Sequence, residues 1–234
     1  MRVGVVLPTF TASAAPALEA AREAEAEGIH GVFAYDHLWP MGRPLRPALS
    51  SFPLLGAVAA STSSVMLGPL VARVGTVADD LLVSELLTLD TVSAGRLVAA
   101  IGTGDRKSLA EMEGYGVPRA TVASRRGSLA RVASAMLDAG VEAWIGGGSA
   151  ATNAVARATD AALNLWAAPA EVLAAAAGDG EVTWGGVLPP DPAAAAGLLG
   201  ALAGSGASWA VLGWPGSLGP VVAAARAAGI ELGR

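Results

Sequence analysis

The chain has 234 residues, 53% apolar and 15% charged, with a net charge of −5, 30 glycines and no cysteine. That balance specifies a buried globular core and excludes a disordered chain. It also excludes disulfides, thiolate metal sites and a cysteine nucleophile. No basic cluster stands out, which argues against nucleic acid and anionic membranes as partners.

In chain order, Val3–Leu7 is an apolar run closed by Pro8. It is too short for the centre of a signal peptide and reads as a first strand, consistent with a cytoplasmic protein. Further strands are expected at Gly31–Tyr35, Val65–Val71, Leu97–Ile101, Glu142–Ile145, Ala161–Leu165, Val182–Val187 and Trp209–Gly213. Between them lie helix-period segments at Pro16–Glu27, Phe52–Ser61, Asp80–Val92, Val122–Ala139, Ala150–Ala158, Pro169–Ala177, Ala193–Ala203 and Ser217–Ala228. Several start at a proline, as at Pro16 and Pro169, and several end at a glycine, as at Gly28, Gly140 and Gly229. The uncharged run from Pro192 to Ala225 is long enough to cross a bilayer. Pro215, Pro220 and several glycines divide it, so it reads as helix, strand, helix inside the core, with no membrane partner.

Alternating strands and helices in this number specify an α/β protein, a single (β/α)8 TIM barrel over residues 1–234. Such barrels usually need about 250 residues, so this one is compact, with reduced insertions. A doubly wound open sheet is the alternative, but Leu7-Pro8-Thr9-Phe10 follows the first strand where a dinucleotide fingerprint needs glycines.

In a barrel the loops after the strands form the active face. Here they carry Asp36-His37, Ala72-Arg73, Gly102-Thr103-Gly104-Asp105 and Gly146-Gly147-Gly148-Ser149. His37 suits proton transfer near neutral pH, or else is a structural histidine bonded to Asp36 or a carbonyl. The Gly146–Gly148 turn runs straight into a helix N-terminus, a setting for phosphate, though glycine turns are common. Asp105 serves as acid, base or helix cap. Arg73 pairs with an anionic ligand or forms a surface salt bridge, and Arg125-Arg126 reads as a solvated face. Trp39, Trp166 and Trp214 wall a pocket for a flat ring or pack the rim. No spacing for a metal site occurs.

Several of these segments resemble the bacterial luciferase-like oxidoreductases, a superfamily that includes the F420-dependent enzymes. They are Gly31–Leu38 with its Asp-His pair, Phe52–Thr62 followed by Val65–Gly68, Leu89–Leu97 ending at Gly102-Thr103-Gly104, and Ala143–Gly147 with Ala158–Ala161 and Asn164–Trp166. The resemblance covers roughly residues 1 to 166. It implies a barrel that binds F420, or alternatively FMN, at the strand C-termini, with NADPH as a further candidate. His37 and Asp105 are then the catalytic residues, although Asp105 stands where the family commonly has Glu. Asp36, Val71, Ala72, Arg73, Gly102, Thr103, Gly104, Gly146, Gly147 and Gly148 hold the cofactor. A non-proline cis peptide is implied at Leu70-Val71 or Val71-Ala72. A small-molecule substrate and a homodimer are also implied. The family's long insertion over the site is missing from this chain. A nicotinamide-dependent reductase and a non-catalytic flavin binder on the same barrel remain the alternatives.

Overall fold

The computed structural model describes residues 1–40, 42–44, 46–104, 108–118 and 120–233. Its strands are β1 (Arg2–Val6), β2 (Gly31–Ala34), β3 (Met66–Pro69), β4 (Ala72–Arg73), β5 (Val98–Gly102), β6 (Glu142–Gly146), β7 (Ala162–Trp166), β8 (Val182–Gly186) and β9 (Trp209–Leu212). Among the described residues they form one parallel sheet of nine strands, in the order β3-β2-β1-β9-β8-β7-β6-β5-β4. A parallel bridge between Leu67 and Leu97 brings the two ends together, and β4 pairs with β5. The result is a nearly closed α/β barrel, as expected.

The strand count differs from the eight expected for one physical reason. The chain leaves the sheet after Pro69 and rejoins it at Ala72, so β3 and β4 share one strand position, and the Leu70-Val71 peptide between them is cis. Gly68 lets β3 approach β5 at the closure. A Cβ there would stand 2.0 Å from the Val98 carbonyl oxygen.

The helices are α1 (Ala15–Ala26), α2 (Ser51–Ser61), α3 (Asp79–Ser93), α4 (Leu109–Gly114), α5 (Val122–Asp138), α6 (Ala150–Thr159), α7 (Ala170–Ala177), α8 (Pro192–Gly204) and α9 (Gly219–Ala227). Eight match the expected segments to within a few residues. The ninth, α4, is a short helix after β5 that the sequence pattern did not reveal. The run Pro192–Ala225 is α8, β9 and α9, and no helix among the described residues is long and apolar enough to cross a membrane.

Because side chains alternate along a strand, each strand feeds two cores. Val3, Val5, Val32, Ala99, Ile101 and Ile145 face the helices in the outer core. Val6, Phe33, Val98, Trp144, Trp209 and Val211 fill the barrel interior. Barrel interiors are dominated by branched aliphatics, whereas three large rings occupy this one. Phe33 stacks on Trp144 at 5.3 Å, and Trp209 meets both edge-on at 5.8 and 5.4 Å. Gly4 and Gly31 make room for them, since a Cβ would lie 2.8 Å from Phe33 and 2.9 Å from Trp209 respectively.

The buried indoles need hydrogen-bond partners. Glu142 Oε1 accepts from Trp144 Nε1 and Trp209 Nε1, both at 3.0 Å. Arg2 donates to the other oxygen at 3.1 Å and lies over the Trp209 ring. This polar plug seals the end of the barrel where the strands begin.

Candidate active site

At the opposite end the interior empties. The inward positions of β5, β6 and the residue after β9 are Gly102, Gly146 and Gly213, so these strands add no side chain to the top layer. Val71, beside the cis peptide, covers two of these glycines. A Cβ on Gly102 would stand 2.5 Å from Val71 Cγ2, and one on Gly146 would stand 3.4 Å from Cγ1. What remains is an open cleft of about 570 Å³, a size suited to a cofactor ring with substrate.

One wall of the cleft is aromatic. Phe10 stacks on Tyr35 at 5.8 Å, and Trp166 meets Tyr35 edge-on at 6.0 Å. Gly185 accommodates Trp166, because a Cβ there would lie 2.6 Å from the indole. Burial pushes the Tyr35 phenol up to about 12, so it presents a neutral O–H throughout the physiological range.

The other edge is a charged network of Asp36, His37, Arg73 and Glu111. Asp36 Oδ1 accepts from Ser51 Oγ at 3.0 Å, and Oδ2 accepts from the Arg73 amide at 2.9 Å. Glu111, fully buried on α4, lies 2.6 Å from His37 Nδ1 through Oε1. Its Oε2 accepts from the Leu38 amide at 2.9 Å and from Arg73 Nη1 at 3.3 Å. Arg73 is 4% exposed, and its Nε stands 3.7 Å from Asp36 Oδ2. Its Nε and Nη2 are buried without a hydrogen-bond partner among the described residues. On α3, Glu85 is raised above the usual carboxylate range by burial and by the charge of Asp36.

Nine of the expected site residues line this one cleft: Asp36, His37, Val71, Arg73, Gly102, Thr103, Gly104, Gly146 and Gly147. Ala72 does not, because alternation along β4 turns it into the outer core. Gly148 also stands off the cleft, exposed, with its amide donating to Asn153 Oδ1 at 3.2 Å. Asp105 lies outside the described residues. His37 is bonded to Glu111, not to Asp36 or a carbonyl, and Arg73 is a buried pair, not a surface one. Arg125 is no solvated face: its Nη1 donates to the Thr103 carbonyl at 2.7 Å and braces the glycine loop. Trp166 walls the cleft, whereas Trp39 packs on Tyr115 at 5.6 Å and Trp214 against the outer core.

The glycine turn into α6 is less vacant than its sequence implies. Gly147 N donates to the Asn164 carbonyl, Ser149 N to Thr152 Oγ1, and Thr152 N to Ser149 Oγ. This is a capping box, which satisfies orphan donors from within. Ala150 and Ala151 carry the first-turn amides that remain uncommitted among the described residues. Sequence reasoning missed Glu111 altogether, along with Phe10 and Tyr35 as a wall. The only trace of Glu111 was a carboxylate next to the buried Met112, in a helix too short to show a period.

No group of three His, Asp or Glu side chains suited to a metal occurs among the described residues. The parallel barrel thus carries its cleft beside the third strand position, at the junction of β3 and β4. A profile of the luciferase-like monooxygenase family matches residues 1–197, and the chain belongs to that family. No curated protein matches it by sequence.

Solved structures resemble it in fold. The coenzyme F420-dependent tetrahydromethanopterin reductase from Methanopyrus kandleri superposes with a TM-score of 0.77 at 12% identity, covering 95% of this chain and 96% of that one. An F420-dependent secondary alcohol dehydrogenase holding an F420–acetone adduct gives 0.73 at 14% identity, covering 91% and 92%. The monooxygenase RslO1 from Streptomyces bottropensis gives 0.70 at 14% identity, covering 98% and 97%.

Proposed function

We propose that this luciferase-like protein is an oxidoreductase that uses F420, or alternatively FMN, to pass hydride to or from a small organic substrate. The observation that carries the reading is the convergence of Asp36-His37, the Val71 bulge and two glycine strand ends on one cleft. Val71 lies against Gly102 and Gly146 and offers a flat apolar backing of the kind a tricyclic ring requires. Phe10, Tyr35 and Trp166 bound the space on the facing side. The cofactor, when bound, supplies the hydride chemistry.

The protein supplies binding, orientation and protons. His37, on the cleft edge, moves the proton that accompanies hydride transfer. Tyr35 presents a neutral hydroxyl for a polar atom of the substrate. A phosphate at the glycine turn would be held by the Ala150 and Ala151 amides with the Ser149 and Thr152 hydroxyls, so that site depends on the capping box opening toward it. The two F420-linked neighbours and the Asp36-His37 pair favour F420 over FMN.

The test is to record the visible spectrum of the purified protein and titrate it with F420, FMN and NADPH while following fluorescence. Binding of F420 or FMN, weakened in His37→Ala, supports the reading. Binding of none of the three overturns it. NADPH binding alone supports a flavin-independent reductase, and flavin binding without turnover of any carbonyl or alcohol substrate supports a non-catalytic carrier.

A further inference from the structure

We infer that Glu111 is a positioning residue which fixes the tautomer of His37, so that Nδ1 carries the ring proton of the neutral histidine and Nε2 is the atom that takes or gives protons in the cleft. This deepens the proposed function, on which its catalytic meaning rests. The tautomer itself is a property of the free protein.

The argument is one of donors and acceptors. A carboxylate only accepts, whereas a neutral imidazole has one donor and one acceptor nitrogen. Glu111 Oε2 is held by two donors that cannot reverse, the Leu38 amide at 2.9 Å and Arg73 Nη1 at 3.3 Å. That leaves Oε1 to receive His37 Nδ1–H at 2.6 Å, a distance in the range of charge-assisted hydrogen bonds. The carboxylate is fully buried, so no water competes for either oxygen. With Nδ1 committed, Nε2 is the only ring nitrogen left to serve the cleft that His37 lines. A buried carboxylate that orients a histidine in this way also stabilises the imidazolium formed when it accepts a proton.

The molecule contains its own control. Its only other histidine is His30, at the sealed end of the barrel. There Nδ1 accepts from the Val3 amide at 3.1 Å, so the neutral ring must carry its proton on Nε2. The two histidines are therefore assigned opposite tautomers.

The experiment is long-range 1H–15N correlation of the histidine rings in the cofactor-free protein at alkaline pH. The expected spectrum has one Nδ1–H ring and one Nε2–H ring. Glu111→Gln is the decisive variant. Its amide oxygen stays with Leu38 N and Arg73, its NH2 group turns to His37 Nδ1, and the ring converts to Nε2–H while His30 is unchanged. Two Nε2–H rings in the wild type would mean that Glu111 carries the proton, and would overturn the inference. An unchanged His37 tautomer in Glu111→Gln would overturn it too. Should Glu111→Gln fail to fold, the wild-type spectrum still decides between the two assignments. Failure to bind F420 or FMN leaves the tautomer result standing and counts against the proposed function alone.

Discussion

The two ends of the barrel are built to different rules. At the end where the strands begin, charged groups are saturated with partners. Arg96 donates through Nε to the Ser93 carbonyl, through Nη1 to Thr62 Oγ1 and the Val65 carbonyl, and through Nη2 to the Ala59 and Thr62 carbonyls. It thereby satisfies the C-terminal end of α2 and fastens it to the start of β3. Glu25 accepts from the amides of Ser63, Ser64 and Val65.

At the end where the strands finish, two buried nitrogens of Arg73 lack a hydrogen bond among the described residues. There Gly102, Gly146 and Gly213 hold interior positions, and Phe10 and Trp166 are 42% and 48% exposed. Unsatisfied polar groups and bare rings are destabilising in themselves. Their concentration at one end separates the half of the barrel that maintains the fold from the half that receives a ligand.

The contrast can be broken at either end, and the effects should fall in a definite order. Gly68→Ala should be the most damaging, because its Cβ meets the Val98 backbone at the barrel closure. We expect a loss above about 3 kcal/mol in denaturant unfolding. Arg96→Ala should follow, at about 3 kcal/mol, from carbonyls left without their donors. Neither residue lines the cleft, so the part of either variant that remains folded should bind ligand as the wild type does.

Acid should act at the sealed end next. Burial alone would raise the Glu25 pKa, but hydrogen bonds from Ser64, Ser63 and Val65 outweigh it and hold the group at about 2, below its ordinary 4.5. A depressed carboxylate stabilises the fold above its unfolded pKa and loses that contribution as pH falls. The loss should run from about pH 4.5 to 2 in the wild type and be missing in Glu25→Gln, measured by urea midpoints across that range. Trp166→Ala should be the mildest, changing stability by about 0.5 kcal/mol or less. It should weaken binding of a flat ring by about 1 kcal/mol, read by titration.

The barrel could be read from the sequence because its signals are local. Apolar runs such as Val3–Leu7 and Leu97–Ile101, separated by helices that end at Gly28 or Gly140, specify a parallel α/β sheet without knowledge of any contact. The glycine ends and the Asp36-His37 pair could also be read, because position after a strand determines the face on which they emerge. Glu111 could not. It reaches His37 across 74 positions of sequence from a six-residue helix, and its burial depends on Arg73 and Leu38, which converge only in the fold. The capping box at the Gly146–Gly148 turn was illegible for a related reason. Glycines announce free amides, but the capping box that engages their neighbours is made by Ser149 and Thr152. Ala72 shows the limit of loop position alone, since its neighbours at Val71 and Arg73 face the cleft and strand alternation turns it away.

The proposed function places a deazaflavin or flavin ring in the top cleft against Val71. Fluorescence titration of F420 and FMN against the wild type and Gly102→Ala tests it most directly. A Cβ at Gly102 meets Val71 at 2.5 Å and displaces the backing of the cleft, far from the sealed end. One cofactor should bind the wild type saturably, and a variant that remains folded should bind it at least tenfold more weakly. Binding of equal strength in both, or no binding of either cofactor to the wild type, would contradict it.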